Sequence, residues 1–113
     1  LSRGLGDVYK RQLLADATIE VANENSASVI PCGMAFERSS KDFPEIELIR
    51  SDNRHPTVAG TYLEAAVFFA SLTGITPTDC DFYGRFDDLI VALETGKKLQ
   101  RIAWNTVRDF NSW

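Results

Sequence analysis

The stretch from Pro56 to Leu72 constrains this 113-residue chain more than any other. Proline is tolerated at the first helical position and glycine just past the last. Pro56 at one end, with Gly74 and Pro77 at the other, therefore brackets one helix. Thr61, Glu64 and Ser71 share a narrow side of it, while Val58, Tyr62, Leu63, Ala65, Ala66, Val67, Phe69 and Leu72 cover the rest. A helix apolar around most of its circumference is a buried one, so this element is expected to lie mostly inside the fold.

The other elements are weaker. Leu13, Leu14, Ala17, Val21 and Ala22 form the stripe of an amphipathic helix from Leu13 to Asn25, packing on one face. Ser28-Val29-Ile30-Pro31 is a short β-branched run that suits a buried strand, and Ile46 to Ile49 suits a second extended piece. Gly33 to Lys41 reads as a helix or irregular turn closed by Asp42-Phe43-Pro44, because the residue before proline is pushed out of the helical region. Asp79 to Arg85 reads as a polar loop. Helices are expected from about Phe86 to Thr95 and from Lys97 to Phe110, with Gly96 as the break and Leu99, Ile102, Ala103, Val107 and Phe110 on one face of the second. Helix followed by short buried strand is half of an α/β unit, and α/β is the expected class.

Twelve basic residues against sixteen acidic ones leave a net charge of −4, which argues against a duplex-binding surface built on phosphate contacts. The longest apolar run, Ala65 to Ala70, is far below the roughly 20 residues of a membrane helix. No nucleic-acid or membrane partner is expected. The chain starts without Met and without the apolar core of a secretory signal, so a signal was removed or the true beginning is missing. Residues 1–12, LSRGLGDVYKRQ, resemble the translated adapter read-through at the ends of metagenomic gene fragments, and residues 13–113 are taken as the native portion. Cys32 and Cys80 are too few for a disulfide framework or a zinc site. They are expected to be free, a single bridge between them remaining open, and the compartment with it.

The only histidine, His55, follows Asp52 by three residues and stands immediately before the proline that opens the central helix. That spacing lets a carboxylate reach the imidazole Nδ1, fixing the tautomer while Nε2 points outward. His55 is expected to be the N-cap, where the helix dipole disfavours a protonated ring and Asp52 offsets that effect. Such a pair is the base half of a Ser-His-Asp triad. The plainer reading is that Asp52 and His55 only cap a helix within a small helical binding domain.

The run Asp52-xx-His55-Pro56-Thr57-xx-Gly60-Thr61-Tyr62-Leu63 resembles the last block of the SGNH (GDSL-type) esterase and lipase superfamily. More weakly, Val29-Ile30-Pro31 is similar to that fold's last core strand, and Leu99-Gln100-xx-Ala103-Trp104 to a closing helix. The resemblance spans about residues 13–110. It implies the C-terminal part of a three-layer α/β/α sandwich, with His55 as general base and Asp52 as its orienter. It further implies hydrolysis of carboxylic esters, those of acylated carbohydrates included, without a cofactor, and leaves the oligomeric state open. The family's GDS-type serine block and the two blocks that complete its oxyanion hole do not occur here, nor does a GxSxG elbow. This chain is therefore expected to be inactive alone. Ser39, Ser40 and Ser51 read as loop residues, and Asn53 is not taken as an oxyanion donor.

Weaker candidates complete the reading. Asp52 and His55 supply too few ligands for a good metal site, and Asp79, Asp81, Asp87 and Asp88 lack the glycine and closing glutamate of a calcium loop. Trp104 and Trp113 carry faces that could stack on sugars, with Trp104 better explained as a packer at the core edge. Arg54, beside His55, is placed to meet an acidic or hydroxyl-bearing substrate.

Overall fold

A computed structural model describes residues 2–83 and 91–113. The helices are α1 (Ser2–Glu24), α2 (Cys32–Asp42), α3 (Val58–Thr73) and α4 (Leu93–Asn111), with one 3₁₀ turn at Pro77–Asp79. Among the described residues there is no β-sheet; the only β pairing is an isolated antiparallel bridge between Ile49 and Pro56. The expected α/β/α sandwich is thus corrected to an all-helical arrangement.

The physical reason lies in where the backbone groups of the two expected strands go. At the first, the Cys32 N–H donates to Ile30 O and the Ala35 N–H to Pro31 O, so Ser28 to Pro31 leads directly into α2. At the second, Leu48 O accepts from Thr57 N–H at 2.8 Å and Arg50 N–H donates to His55 O at 2.8 Å, closing a tight arch onto the start of α3. Neither segment pairs with a third strand among the described residues.

The core sits among α2, α3 and α4. Leu63, Ala66, Val67 and Ala70 of α3 meet Leu99, Ile102, Ala103 and Val107 of α4, while Ala35 of α2 and Leu48 of the arch close the cluster. Each Leu, Ile or Val fully removed from water contributes about 1.5–3 kcal/mol, so these two interlocking stripes dominate the stability. The α4 stripe matches the expected one, with Phe110 only partly buried. Gly96 does not break the helix: α4 runs through it. The Tyr83 ring packs into the space that a side chain at Gly96 would fill, so glycine serves close packing there. Half of the helix expected from Phe86 to Thr95 lies outside the described residues; Val91 and Ala92 are not helical, and Leu93 to Thr95 begin α4.

Two further expectations change. α3 is not mostly buried: Phe68, Phe69 and Leu72 stand in solvent on the side opposite the core. The stripe from Leu13 to Ala22 does not pack as a face either, since Leu13, Leu14, Ala17 and Val21 are exposed and only Ala22 is buried. α1 runs continuously across the boundary between residues 12 and 13 without close approach of its backbone to another described helix. Among the described residues, no helix is long and apolar enough to cross a membrane.

Candidate functional site

The arch between Leu48 and Thr57 is built by local chemistry. Asn53 takes a left-handed conformation, φ +57°, and donates its N–H to Arg50 O at 2.9 Å. Asparagine tolerates that region better than most residues because its short polar side chain bonds locally. Asp52 Oδ1 accepts the backbone N–H groups of Arg54 at 3.0 Å and His55 at 3.1 Å. These bonds turn the chain back so that the imidazole meets the same carboxylate: His55 Nδ1 lies 2.7 Å from Asp52 Oδ2.

The arch is fixed to α3 by one threonine. Thr57, not His55, is the N-cap: its Oγ1 accepts from Gly60 N–H at 3.0 Å. The same hydroxyl donates to Glu47 O at 2.6 Å, and Thr57 N–H donates to Leu48 O. The backbone of Leu48 presses on α3 where Gly60 has no side chain; a Cβ there would collide with the Leu48 carbonyl oxygen. The expectation that His55 caps the helix is corrected accordingly. Thr57 and Gly60 are the positioning residues that sequence reasoning passed over. Their signal was present, because a threonine followed three residues later by a free helical N–H is an N-cap arrangement.

The resulting pair has a defined electrostatic character. The imidazole bond, then the two backbone N–H groups, hold the Asp52 carboxyl below its ordinary value, with the nearby Arg50 charge adding to the same direction. An ionised Asp52 at Nδ1 favours the ring form that carries a proton there, the form in which Nε2 is the lone-pair nitrogen. Nε2 has no hydrogen-bond partner among the described residues, and the His55 side chain is 70% exposed against 47% for Asp52. The site is an oriented imidazole presented to solvent.

The remaining sequence candidates separate from it. Arg54 is exposed on the arch and contributes its backbone N–H to Asp52, while its guanidinium forms no ion pair with a described residue. Ser51 lies in the turn. Ser39 and Ser40, expected in a loop, belong to α2 instead, with Ser39 fully buried between packed helices and its hydroxyl unpartnered.

Cys32 and Cys80 are free; Cys32 is half-buried, and burial first, then the charge of Glu64, pushes its thiol up, away from the reactive thiolate. No three potential ligands among the described residues cluster to hold a metal, and Asp87 and Asp88 lie outside those residues. Trp104 packs against the core and pairs with the exposed Trp113 at 6.1 Å between ring centroids. No protein-family model, curated protein or solved structure matches the chain.

Proposed function

We propose that Asp52 and His55 are the orienter and general base of a serine-type carboxylic-ester hydrolase whose nucleophilic serine is supplied from outside the residues of this chain. The observation that carries this reading is the 2.7 Å bond between Asp52 Oδ2 and His55 Nδ1 combined with an unoccupied, exposed Nε2. The capping of α3 falls to Thr57, so the Nδ1 bond is not needed for that duty. The resemblance of the run from Asp52 to Leu63 to the SGNH block points to the same roles, and acylated carbohydrates are the substrate class that it suggests.

The steps assigned to this chain's own residues are proton movements. Nε2 accepts the hydroxyl proton of the serine as its oxygen attacks the ester carbonyl, and the imidazolium so formed is stabilised by ionised Asp52 across the Nδ1–H bond. Collapse of the tetrahedral intermediate expels the alcohol, which takes the proton from Nε2. Water then repeats the sequence on the acyl-enzyme and regenerates serine and neutral His55. Asp52 remains a carboxylate throughout. The exposed Arg54, next to the base, is the residue placed to contact substrate away from the transferring proton.

The test is kinetic, in a protein that joins this chain to a GDS-type serine block and is assayed on short-chain aryl esters. His55→Ala should lower kcat by about 10³-fold or more, because the serine loses its proton acceptor, and Asp52→Asn should cost no more than that. The 113-residue chain alone should turn over no faster than its own His55→Ala variant. Near-parental kcat in His55→Ala overturns the assignment.

A further inference from the structure

The solvent side of α3 carries a second pattern. Thr61, Ala65, Phe68 and Leu72 recur at spacings of four, three and four, all exposed, on the side of the helix away from the buried Leu63, Ala66, Val67 and Ala70. That spacing matches the a/d repeat of a paired helix, with Thr61 the polar position in it. Phe69 flanks it, Ile75 continues it past the helix end, and the Trp113 ring lies 3.7 Å from the position a Gly74 Cβ would take. Phe68 is 45% exposed and Leu72 74%, in a helix whose sequence leaves only a narrow polar side.

We infer that this face binds a second copy of the chain, with the two α3 helices antiparallel about a two-fold axis passing between Ala65 and Phe68. Three features select that occupant. The seam is graded in size, with Thr61 and Ala65 in its first half and Phe68 and Leu72 in its second. An antiparallel two-fold sets Thr61 of one copy against Leu72 of the other, and Ala65 against Phe68, so large side chains fill the room left by small ones. A parallel pair would oppose large with large. Such self-complementarity is what an isologous interface requires.

Charge and area agree. Glu64 is the only charged residue of α3, and the antiparallel arrangement brings it near Ser71 of the second copy rather than its own counterpart. With no Lys or Arg on the helix and a net charge of −4, the face does not suit an anionic lipid surface. Phe68, Phe69, Ile75 and Trp113, each about half exposed, together with the more exposed Leu72, offer at most roughly 500 Å² per copy, hence about 1,000 Å² for the pair, below the usual range of stable specific interfaces. An interface of that size gives a weak, concentration-dependent dimer. This inference stands apart from the roles of Asp52 and His55, which lie on the arch before α3.

Sedimentation equilibrium over a concentration series tests it on the intact chain, with circular dichroism to verify that each variant keeps its helices. The wild type should pass from monomer to dimer and stop there. Phe68→Glu and Leu72→Glu should each be monomeric throughout, the second replacing a side chain that touches little in the monomer. Ala65→Lys should also be monomeric, yet a mixture of Ala65→Lys with Phe68→Glu should recover a heterodimer, since the antiparallel register places the new charges opposite each other. A wild type that remains monomeric, one whose monomer instead binds neutral-lipid vesicles, a dimer indifferent to Leu72→Glu, or a mixture that stays monomeric would each overturn the proposal.

Discussion

Replacing Gly60 by alanine tests how the arch is held. On helix propensity alone the change stabilises an interior helical position by about 1 kcal/mol. The packing predicts the opposite sign. The new methyl would occupy the place of the Leu48 carbonyl oxygen and approach the Leu48 carbonyl carbon to 3.1 Å and the Pro56 Cβ to 3.2 Å.

Two of these three atoms are backbone, so no side-chain rotation relieves the clash, and the arch must move away from α3. Overpacking of that kind costs about 3 kcal/mol at the upper end of the usual range. Set against the propensity gain, the net loss is about 2 kcal/mol, or a fall in Tm of about 10 °C for a domain of this size. Thermal melts followed by far-UV circular dichroism measure it. The amide shifts of Arg54 and His55 should move in the same variant, because the segment that carries Asp52 swings with the arch. An unchanged or raised Tm would show that Leu48 does not rest on the first turn of α3, and the account of how His55 is positioned would fail with it.

Three other outcomes follow from the geometry. Asp52 has a folded value below its unfolded one, so its stabilisation of the arch is fully present above the ordinary aspartate value of about 3.9 and is lost as pH falls through the lowered value. The Arg54 and His55 amide shifts should accordingly titrate with a midpoint below 3.9, and a midpoint at or above it would contradict the bond network. Removing residues 1–12 should change stability by no more than about 0.5 kcal/mol, since α1 approaches no other described helix; a loss of several degrees in Tm would show contacts that this reasoning omits. Gly96→Ala should displace the Tyr83 ring, and the overpacking cost of about 1–3 kcal/mol less the propensity gain of about 1 kcal/mol leaves a net loss of up to about 2 kcal/mol, with near-UV circular dichroism reporting the aromatic change; a gain in Tm would mean that helix propensity governs that position.

The helices were legible where one face repeats over several turns. Leu99, Ile102, Ala103 and Val107 mark α4 unambiguously, and Gly74, at φ +69°, ends α3 as its position in the sequence suggests. What periodicity could not show is whether a short β-branched run finds a partner. Ser28 to Pro31 and Ile46 to Ile49 read as strands, but the first runs into α2 through the Ile30 and Pro31 carbonyls and the second folds onto the start of α3 through Leu48 O, with only the isolated Ile49–Pro56 bridge. Gly96 misled for a related reason, because the Tyr83 ring that fills its space is brought there by the fold. The Asp52–His55 pair was legible because its geometry spans only four residues. The placement of that pair was not, since it depends on contacts of Thr57 and Gly60 with Glu47 and Leu48, which belong to a different local segment.

The central claim is that Asp52 holds the His55 ring with the proton on Nδ1 and Nε2 free to accept another. Long-range ¹H–¹⁵N correlation spectra of the single histidine, recorded at alkaline pH where the ring is neutral, test this directly. The account predicts a protonated Nδ1 and a lone-pair Nε2 in the wild type, shifting toward the Nε2–H tautomer in Asp52→Ala. Spectra showing the Nε2–H tautomer in both proteins would contradict it.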